Sequence, residues 1–205
     1  MSESGGRPSI AVVDYGAGNL TSVLKGLDAA GADPFVTARA GDVHEARAVV
    51  IPGVGHFAAT AAMDRQMRDA IHATAASHKP LLGICLGMQL LFSGSEEEPG
   101  LAGLQLVPGS CTRLGGDVKV PHVGWNTLEA RRESALMAGV PDGSYVYFTH
   151  SYAAPATDGC AASTNYGAST FAAVVDWHGV YGVQFHPEKS GEAGIQILRN
   201  FVSLC

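Results

Sequence analysis

Short unbroken apolar runs alternate with helical stripes through the first half of this chain. Ser9-Ile-Ala-Val-Val-Asp14 is one such run and predicts a strand buried on both faces. Tyr15-Gly-Ala-Gly-Asn19 reads as a turn. Leu20, Val23, Leu24 and Leu27 then fall at i, i+3, i+4 and i+7, one stripe of an amphipathic helix, with Gly31 placed as its C-terminal cap. Residues 35–37 and 47–51 predict a second and a third strand. Pro52-Gly-Val-Gly55 breaks the third, and 57–76 reads as one long Ala-rich helix. Residues 79–85 predict a fourth strand running into a helix over 86–92. The order β-α-β-β-α-β-α predicts an α/β fold, a mostly parallel open sheet flanked by helices.

The second half changes character. Residues 93–114 are rich in Gly, Pro and Glu, with short apolar pieces at 104–107 and 111–113. Segment 120–126 holds Pro121, His122, Gly124 and Trp125 and predicts no regular element. Residues 144–149, 161–164, 171–176 and 180–185 are strand-like and spaced as an antiparallel run, with Trp177-His-Gly179 as a hairpin turn. Ser190 is placed to cap a final helix whose Ile195, Leu198 and Val202 share a face. No repeat or long linker interrupts the pattern. The expectation is a disordered polar tail at 1–8, then one domain over 9–205 with an additional antiparallel β portion in its C-terminal half.

Composition narrows the function classes. The chain has 205 residues, 46% of them hydrophobic, which is ample for a core. Its formal charge of -6 argues against nucleic acid as the main partner, since phosphate binding needs a basic surface. No apolar run approaches the ~20 residues of a membrane span, and the polar start lacks the apolar core of a signal peptide. Cys85, Cys111, Cys160 and Cys205 lie far apart with no C-x-x-C pair, giving neither metal-site spacing nor a dense disulfide framework. A cytoplasmic protein without metal or cofactor is expected.

Candidate chemistry centres on Gly83-Ile-Cys-Leu-Gly87. It lies between a predicted buried strand and a helix, the cysteine counterpart of the serine nucleophile elbow. A helix starting just past Cys85 aims its positive end at the sulfur and favours thiolate. Read alone, Cys85 is equally a small buried hydrophobe. A thiol nucleophile needs a base, and the base needs orienting. His186 ends an apolar run and is followed by Pro187-Glu188. In an extended segment residues two apart share a side, which brings Glu188 to the His186 ring. Both Cys85 and His186 follow buried strands at the carboxyl edge of the sheet, where open α/β folds place their sites. Alone, His186 reads as a surface histidine near a loop carboxylate; with Cys85 the reading becomes a Cys-His-Glu triad. Gly53 and Gly55 let backbone amides approach a ligand. The Val54 or Gly55 amide and the Leu86 amide are the candidate oxyanion donors, although a bare Pro-Gly-x-Gly is also a plain turn.

Three blocks in one order, Pro52-Gly-Val-Gly55, Gly83-Ile-Cys-Leu-Gly-Met-Gln89 and Phe185-His-Pro-Glu188, resemble the triad (class I) glutamine amidotransferases. The resemblance runs from about Ile10 to the end. Asp14-Tyr-Gly-Ala-Gly-Asn-Leu20, Pro121-His-Val-Gly-Trp-Asn126, Tyr147-Phe-Thr-His-Ser-Tyr152 and Gln184-Phe-His-Pro-Glu-Lys-Ser190 are similar to one branch of that family, the glutaminase subunits of imidazole glycerol phosphate synthases. The resemblance implies that Cys85 attacks the side-chain amide of glutamine to form a glutamyl thioester, that His186 moves the protons, and that Glu188 orients His186. It implies that Gly53, Gln89 and Glu97 hold glutamine, together with backbone near Ser151 and Tyr152. It also implies a heterodimer with a separate (β/α)8 cyclase subunit, which receives the ammonia and forms imidazole glycerol phosphate and AICAR in histidine biosynthesis. Asn19, Trp125, Asn126, Tyr147 and Lys189 would line that contact. Taken singly, Trp125 and Tyr147 read as core aromatics as well, and Lys189 as a solvated surface lysine. Relatives couple hydrolysis to occupancy of the cyclase site, and Val54 between two glycines suggests a 53–55 backbone that rotates to present an amide. Open alternatives are a stand-alone cysteine hydrolase on a similar sheet, the glutaminase of another ammonia-using synthase, and a binding protein with a vestigial site. Retention of all three triad residues counts against the last.

Overall fold

The computed structural model describes residues 6–205, so residues 1–5 of the tail expected at 1–8 lie outside the described residues. The fraying expected of Arg7 and Pro8 is not observed. Arg7 donates to both the carbonyl and the carboxylate of Asp28 at 2.6 Å, and the Pro8 carbonyl accepts from the Asp33 amide at 2.9 Å.

In chain order the elements are β1 (Ser9–Val13), α1 (Leu20–Ala29), β2 (Asp33–Thr37), α2 (Ala40–Glu45), β3 (Ala48–Ile51), a 3-10 turn (Phe57–Ala62), α3 (Arg65–Ala76), β4 (Leu81–Ile84) and α4 (Leu86–Leu91). There follow β5 (Thr112–Arg113), β6 (His122–Thr127), β7 (Glu129–Ala130), β8 (Tyr145–His150), β9 (Tyr152–Ala153), β10 (Cys160–Tyr166), β11 (Ser169–Trp177), β12 (Val180–Val183), a 3-10 turn (Pro187–Lys189) and α5 (Gly191–Ser203). The main sheet has the order β2-β1-β3-β4-β12-β11-β10-β7. Its first five strands are parallel and the last three antiparallel. Two short antiparallel pairs, β5-β9 and β6-β8, stand apart from it.

Apolar strands without a polar face need cover on both sides, and alternation along them sorts the core into two layers. Ala11, Val13, Val49, Ile51 and Leu81 face α2, α3 and α4, packing with Val43, Met67, Ile71, Leu90 and Leu91. Ile10, Val12, Val50, Leu82 and Ile84 face α1 and α5, packing with Val23, Leu27, Ile197, Leu198 and Phe201. Full burial of each such side chain contributes about 1.5–3 kcal/mol. Three helices on one face and two on the other hold the carboxyl ends of β3, β4 and β12 in one place, and the site forms there.

Several expectations change. The helix expected over 57–76 is broken at Met63–Asp64, because the Asp64 carboxylate accepts the Met67 amide at 2.8 Å and starts α3 as its N-cap. Helix α2 was not predicted; it buries only Val43 and its N-cap residue Arg39 makes no side-chain cap bond, so it carries no periodic signal. Segment 120–126 contains a strand after all, since β6 pairs with β8 over His122–Thr127. The expected antiparallel run is mixed: β8 leaves the main sheet to pair with β6, and β12 lies antiparallel to β11 but parallel to β4. Ser190 occupies the N-cap of α5 without capping it; its hydroxyl donates to the His186 carbonyl at 2.6 Å and accepts the Tyr147 amide at 2.9 Å. The buried face of α5 centres on Ile197, Leu198 and Phe201, with Ile195 and Val202 at its margins.

A Cβ on Gly87 would strike the Ile51 carbonyl, whereas one on Gly100 would meet nothing within 4 Å. Gly87→Ala should therefore cost more than the ~1–3 kcal/mol of ordinary overpacking, read by urea denaturation, with Gly100→Ala as an unaffected control. Equal stability of the two variants would refute the close approach of α4 to β3.

Candidate active site

Strand β4 is buried at every residue and delivers Cys85 to its carboxyl end. Cys85 itself has φ 53° and ψ -108°, a conformation that non-glycine residues rarely adopt. Its amide donates to the Val183 carbonyl at 2.8 Å, and its carbonyl accepts from Gln89 at 3.1 Å, so strand and helix grip the same residue. Gly83 and Gly87 are required by contact: a Cβ at Gly83 would lie 2.6 Å from the Gly87 carbonyl oxygen. The elbow expected from the sequence is present.

His186 Nδ1 lies 2.9 Å from Glu188 Oε1, and both side chains are only 2% exposed. Their proximity arises from the 3-10 turn over Pro187–Lys189, not from the extended segment the spacing suggested. The turn starts at Pro187 because its fixed φ suits a helical first position. His186 Nε2 is buried and, apart from its approach to the Cys85 sulfur, has no hydrogen-bond partner among the described residues. Burial pushes the ring's pKa down, but hydrogen bonding and charge from Cys85 and Glu188 outweigh it and raise the value to about 9. Tyr15, whose hydroxyl donates to the Pro52 carbonyl at 2.8 Å, is pushed well above its usual range by burial and by the nearby Cys85.

Cys85 opens into a cavity of about 260 Å³ lined by Gly55, His56, Leu86, Gln89, Glu97, Pro121 and residues 149–152. That falls below the ~300–1,000 Å³ of sites for drug-sized ligands and suits a single amino acid. A larger hollow of about 770 Å³ beside Arg131, Ser134 and Asp176 contains none of the triad. Of the residues expected to hold substrate, Gln89, Glu97, Ser151 and Tyr152 line the cavity. Gln89 Nε2 donates to the Tyr152 carbonyl at 2.8 Å, and Glu97 Oε2 accepts the Phe57 amide at 2.8 Å. Gly53 borders Leu86 and Tyr15. Its carbonyl accepts the Leu86 amide at 3.3 Å, so one expected oxyanion donor is already engaged. Val54 is 38% exposed, and Gly55 has φ 105°.

The residues expected at a partner contact divide. Trp125 and Tyr147 pair across β6 and β8 with ring centroids 6.0 Å apart, and Lys189 Nζ lies 6.0 Å from the Tyr147 ring. Trp125 is 55% exposed, which overturns its reading as a core aromatic. Val123 and Tyr145 extend this exposed face. Asn126 points to the other side, with Nδ2 donating to the Asn165 carbonyl at 3.0 Å. The exposed Asn19 caps α1 through the Ser22 amide.

Sequence reasoning gave no role to Gln184 or His150. Gln184 Nε2 lies 3.7 Å from the Cys85 sulfur, and His150 lines the cavity. A signal existed for Gln184, which stands two residues before His186 in an extended run and so shares its side. Among the described residues, no group of three or more His, Cys, Asp or Glu side chains is placed to hold a metal, and no helix is long and apolar enough to cross a membrane.

A family model described as glutamine amidotransferase class-I matches residues 11–205. The chain belongs to this family. It is an enzyme of the class-I glutamine amidotransferases. It is 50% identical to the imidazole glycerol phosphate synthase subunit HisH of Halobacterium salinarum, over 96% of this chain and 94% of that one. It is 45% identical to the HisH subunit of Methanothermobacter thermautotrophicus, over 95% and 98%. The PurLQS structure from Thermotoga maritima shares the amidotransferase fold at TM-score 0.74 and 18% identity, covering 97% of this chain and 99% of that one.

Two more buried histidines set the pH response of this amidotransferase. Burial lowers His122 to about 4. Burial, with His122 and His186 nearby, lowers His150 to about 3 despite its hydrogen bond to the Tyr152 carbonyl. Both rings fold neutral, so the stability they confer is complete above the unfolded value of about 6.5 and is lost as pH falls toward 4 and 3. His186 acts in the opposite sense: its contribution is complete below about 6.5 and is lost as pH rises toward 9. Urea titrations across this range should show stability falling on both sides of about pH 6.5, more steeply on the acid side. A flat acid limb would mean that His122 and His150 are charged in the folded protein.

Proposed function

We propose that this chain is the glutaminase subunit of an imidazole glycerol phosphate synthase, with residues 9–205 acting as one domain in the cytoplasm. The observation that carries the reading is the Cys85 elbow opening on an amino-acid-sized cavity, with the buried His186–Glu188 pair behind it.

In this reading the Cys85 thiolate adds to the side-chain amide carbon of glutamine. As the tetrahedral intermediate collapses, the C–N bond breaks and the His186 imidazolium gives its proton to the departing nitrogen, releasing ammonia and leaving a γ-glutamyl thioester. Neutral His186 then takes a proton from water, whose oxygen attacks the thioester carbon; the C–S bond breaks as that intermediate collapses, releasing glutamate and restoring the thiolate–imidazolium pair. Glu188 keeps Nδ1 protonated and aims Nε2 at the reacting atoms. The Glu97 carboxylate meets the substrate ammonium, and Gln89 with the Ser151–Tyr152 backbone places the rest.

Subunit names among the relatives imply a second, cyclase subunit that uses the ammonia. We assign its docking face to Trp125, Tyr147 and Lys189, with the exposed Asn19, and take the partner to be a (β/α)8 barrel in a heterodimer. The engaged Leu86 amide supports coupling between the subunits. Rotating the Gly53–Val54 peptide withdraws the Gly53 carbonyl from Leu86 and presents the Val54 amide, and docking biases this two-state element.

Glutamine hydrolysis, assayed with and without the cyclase subunit and its ligand, tests the proposal. Cys85→Ala should abolish activity, and His186→Asn should lower kcat by about 10²–10⁴. Unchanged hydrolysis by Cys85→Ala would sink the mechanism, and a full coupled rate in the isolated chain would sink the coupling. Trp125→Ala should weaken calorimetrically measured affinity for the cyclase subunit by at least ~2 kcal/mol, with its fold intact.

A further inference from the structure

The sulfur of Cys85 has a buried neighbour that the triad does not explain. Gln184 is fully buried, and its Nε2 lies 3.7 Å from that sulfur. An amide can face either way, so its orientation has to be settled from the groups around it. A chain of hydrogen bonds settles it. The Tyr152 carbonyl can only accept, so His150 Nδ1, 2.9 Å away, carries a proton. In the neutral ring His150 Nε2 is then an acceptor, and His122 Nδ1, at 3.3 Å, must donate to it. His122 Nε2 accepts in turn from Asn126 Nδ2 at 3.4 Å. Every member of the chain is used in one sense only.

The same carbonyl fixes Gln89. Its Nε2 has two hydrogens; one goes to the Tyr152 carbonyl at 2.8 Å and the other to Gln184 Oε1 at 3.1 Å. With its oxygen held by Gln89, Gln184 can present only its N–H to Cys85. Reversing the Gln184 amide would set two NH2 groups against each other in a buried site, at the full cost of unmet donors.

We propose that Gln184 is a further catalytic residue, whose side-chain N–H donates to the Cys85 sulfur and holds the thiolate in place. Gln89 is the positioning residue that keeps this donor pointing at the sulfur. The need for such a donor is local: the Leu86 amide, the first free N–H of α4, is taken by the Gly53 carbonyl. His186 stabilises the thiolate by charge from one side, and Gln184 by a fixed dipole from another. The catalytic role rests on the glutaminase reading; the hydrogen bond to the sulfur does not.

The test separates the two. Iodoacetamide alkylation of Cys85, followed by peptide mass spectrometry across pH 5 to 10 (about the range over which thiols ionise), needs no glutamine. Gln184→Met keeps length and burial but removes the donor. Its alkylation midpoint should move up by about one pH unit, a roughly tenfold slower reaction below the midpoint. Gln184→Glu, which sets a carboxylate against the sulfur, should move it further. His186, Glu188, Tyr15, and around the cavity His56, Glu97, His150 and Tyr152, are the other titratable groups facing the site, and neither variant alters them. In glutamine hydrolysis Gln184→Met should lower kcat while KM stays close to the native value. An unchanged alkylation midpoint in a folded Gln184→Met protein overturns the proposal. If both variants fail to fold, the native protein decides: the Gln184 side-chain amide resonance must titrate together with Cys85, and one that ignores Cys85 ionisation overturns it equally. A protein that hydrolyses no glutamine but shows the alkylation shift would reject the glutaminase reading and keep the hydrogen bond.

Discussion

Helix α4 lies so close to β3 and β4 that no side chain fits between them. A Cβ on Gly87 would strike the Ile51 carbonyl, and one on Gly83 would strike the Gly87 backbone. The chain must therefore reverse within a single residue, and Cys85 takes up that reversal at φ 53°. Such a conformation costs of the order of 1–3 kcal/mol. It persists because Met88, Leu90, Leu91 and Phe92 are fully buried and anchor the helix behind it. The same proximity brings the Leu86 amide to the Gly53 carbonyl, so the elbow and the 53–55 loop share one constraint.

The base is tied down from outside the sheet. The His186 amide donates to the Tyr147 carbonyl at 2.9 Å, while the Ser190 hydroxyl links the His186 carbonyl to the Tyr147 amide. Tyr147 thus holds the triad histidine through its backbone and presents its ring on the exposed face with Trp125. A partner seated on that face lies one strand away from the base. Beneath the ribbon, His122 and His150 stay neutral at the cost of acid stability, which gives the polar interior fixed donor and acceptor roles.

Much of this was legible beforehand because it is local or periodic. The apolar runs of β1, β3 and β4 are buried on both faces whatever their neighbours, so they announce a parallel sheet. The Gly-x-Cys-x-Gly elbow is a short-range device and appeared where the sequence put it, while His186 and Glu188 met as expected but through a 3-10 turn in place of an extended segment. What was missed has a common cause. Helix α2 and strand β6 owe their existence to tertiary partners and show no period of their own, and the break at Asp64 is a competition between a cap and an otherwise good helical pattern. Gln184 and His150 sat unassigned inside recognisable blocks, because a buried amide or a neutral imidazole has no role until its neighbours are known.

The sequence by itself singled out Cys85, His186 and Glu188, since a thiol, an imidazole and a carboxylate at strand ends are legible from residue type and position. Only the tertiary structure decided which amide the Gly53 carbonyl engages, which way Asn126 and Trp125 face, and which atom of Gln184 meets the sulfur. The physical reason is that a hydrogen bond's direction is set by the group across from it. At Cys85 those groups are Gln184 just past β12, Gln89 in α4 and Tyr152 in β9, far apart in the chain and brought together only when the sheet is formed.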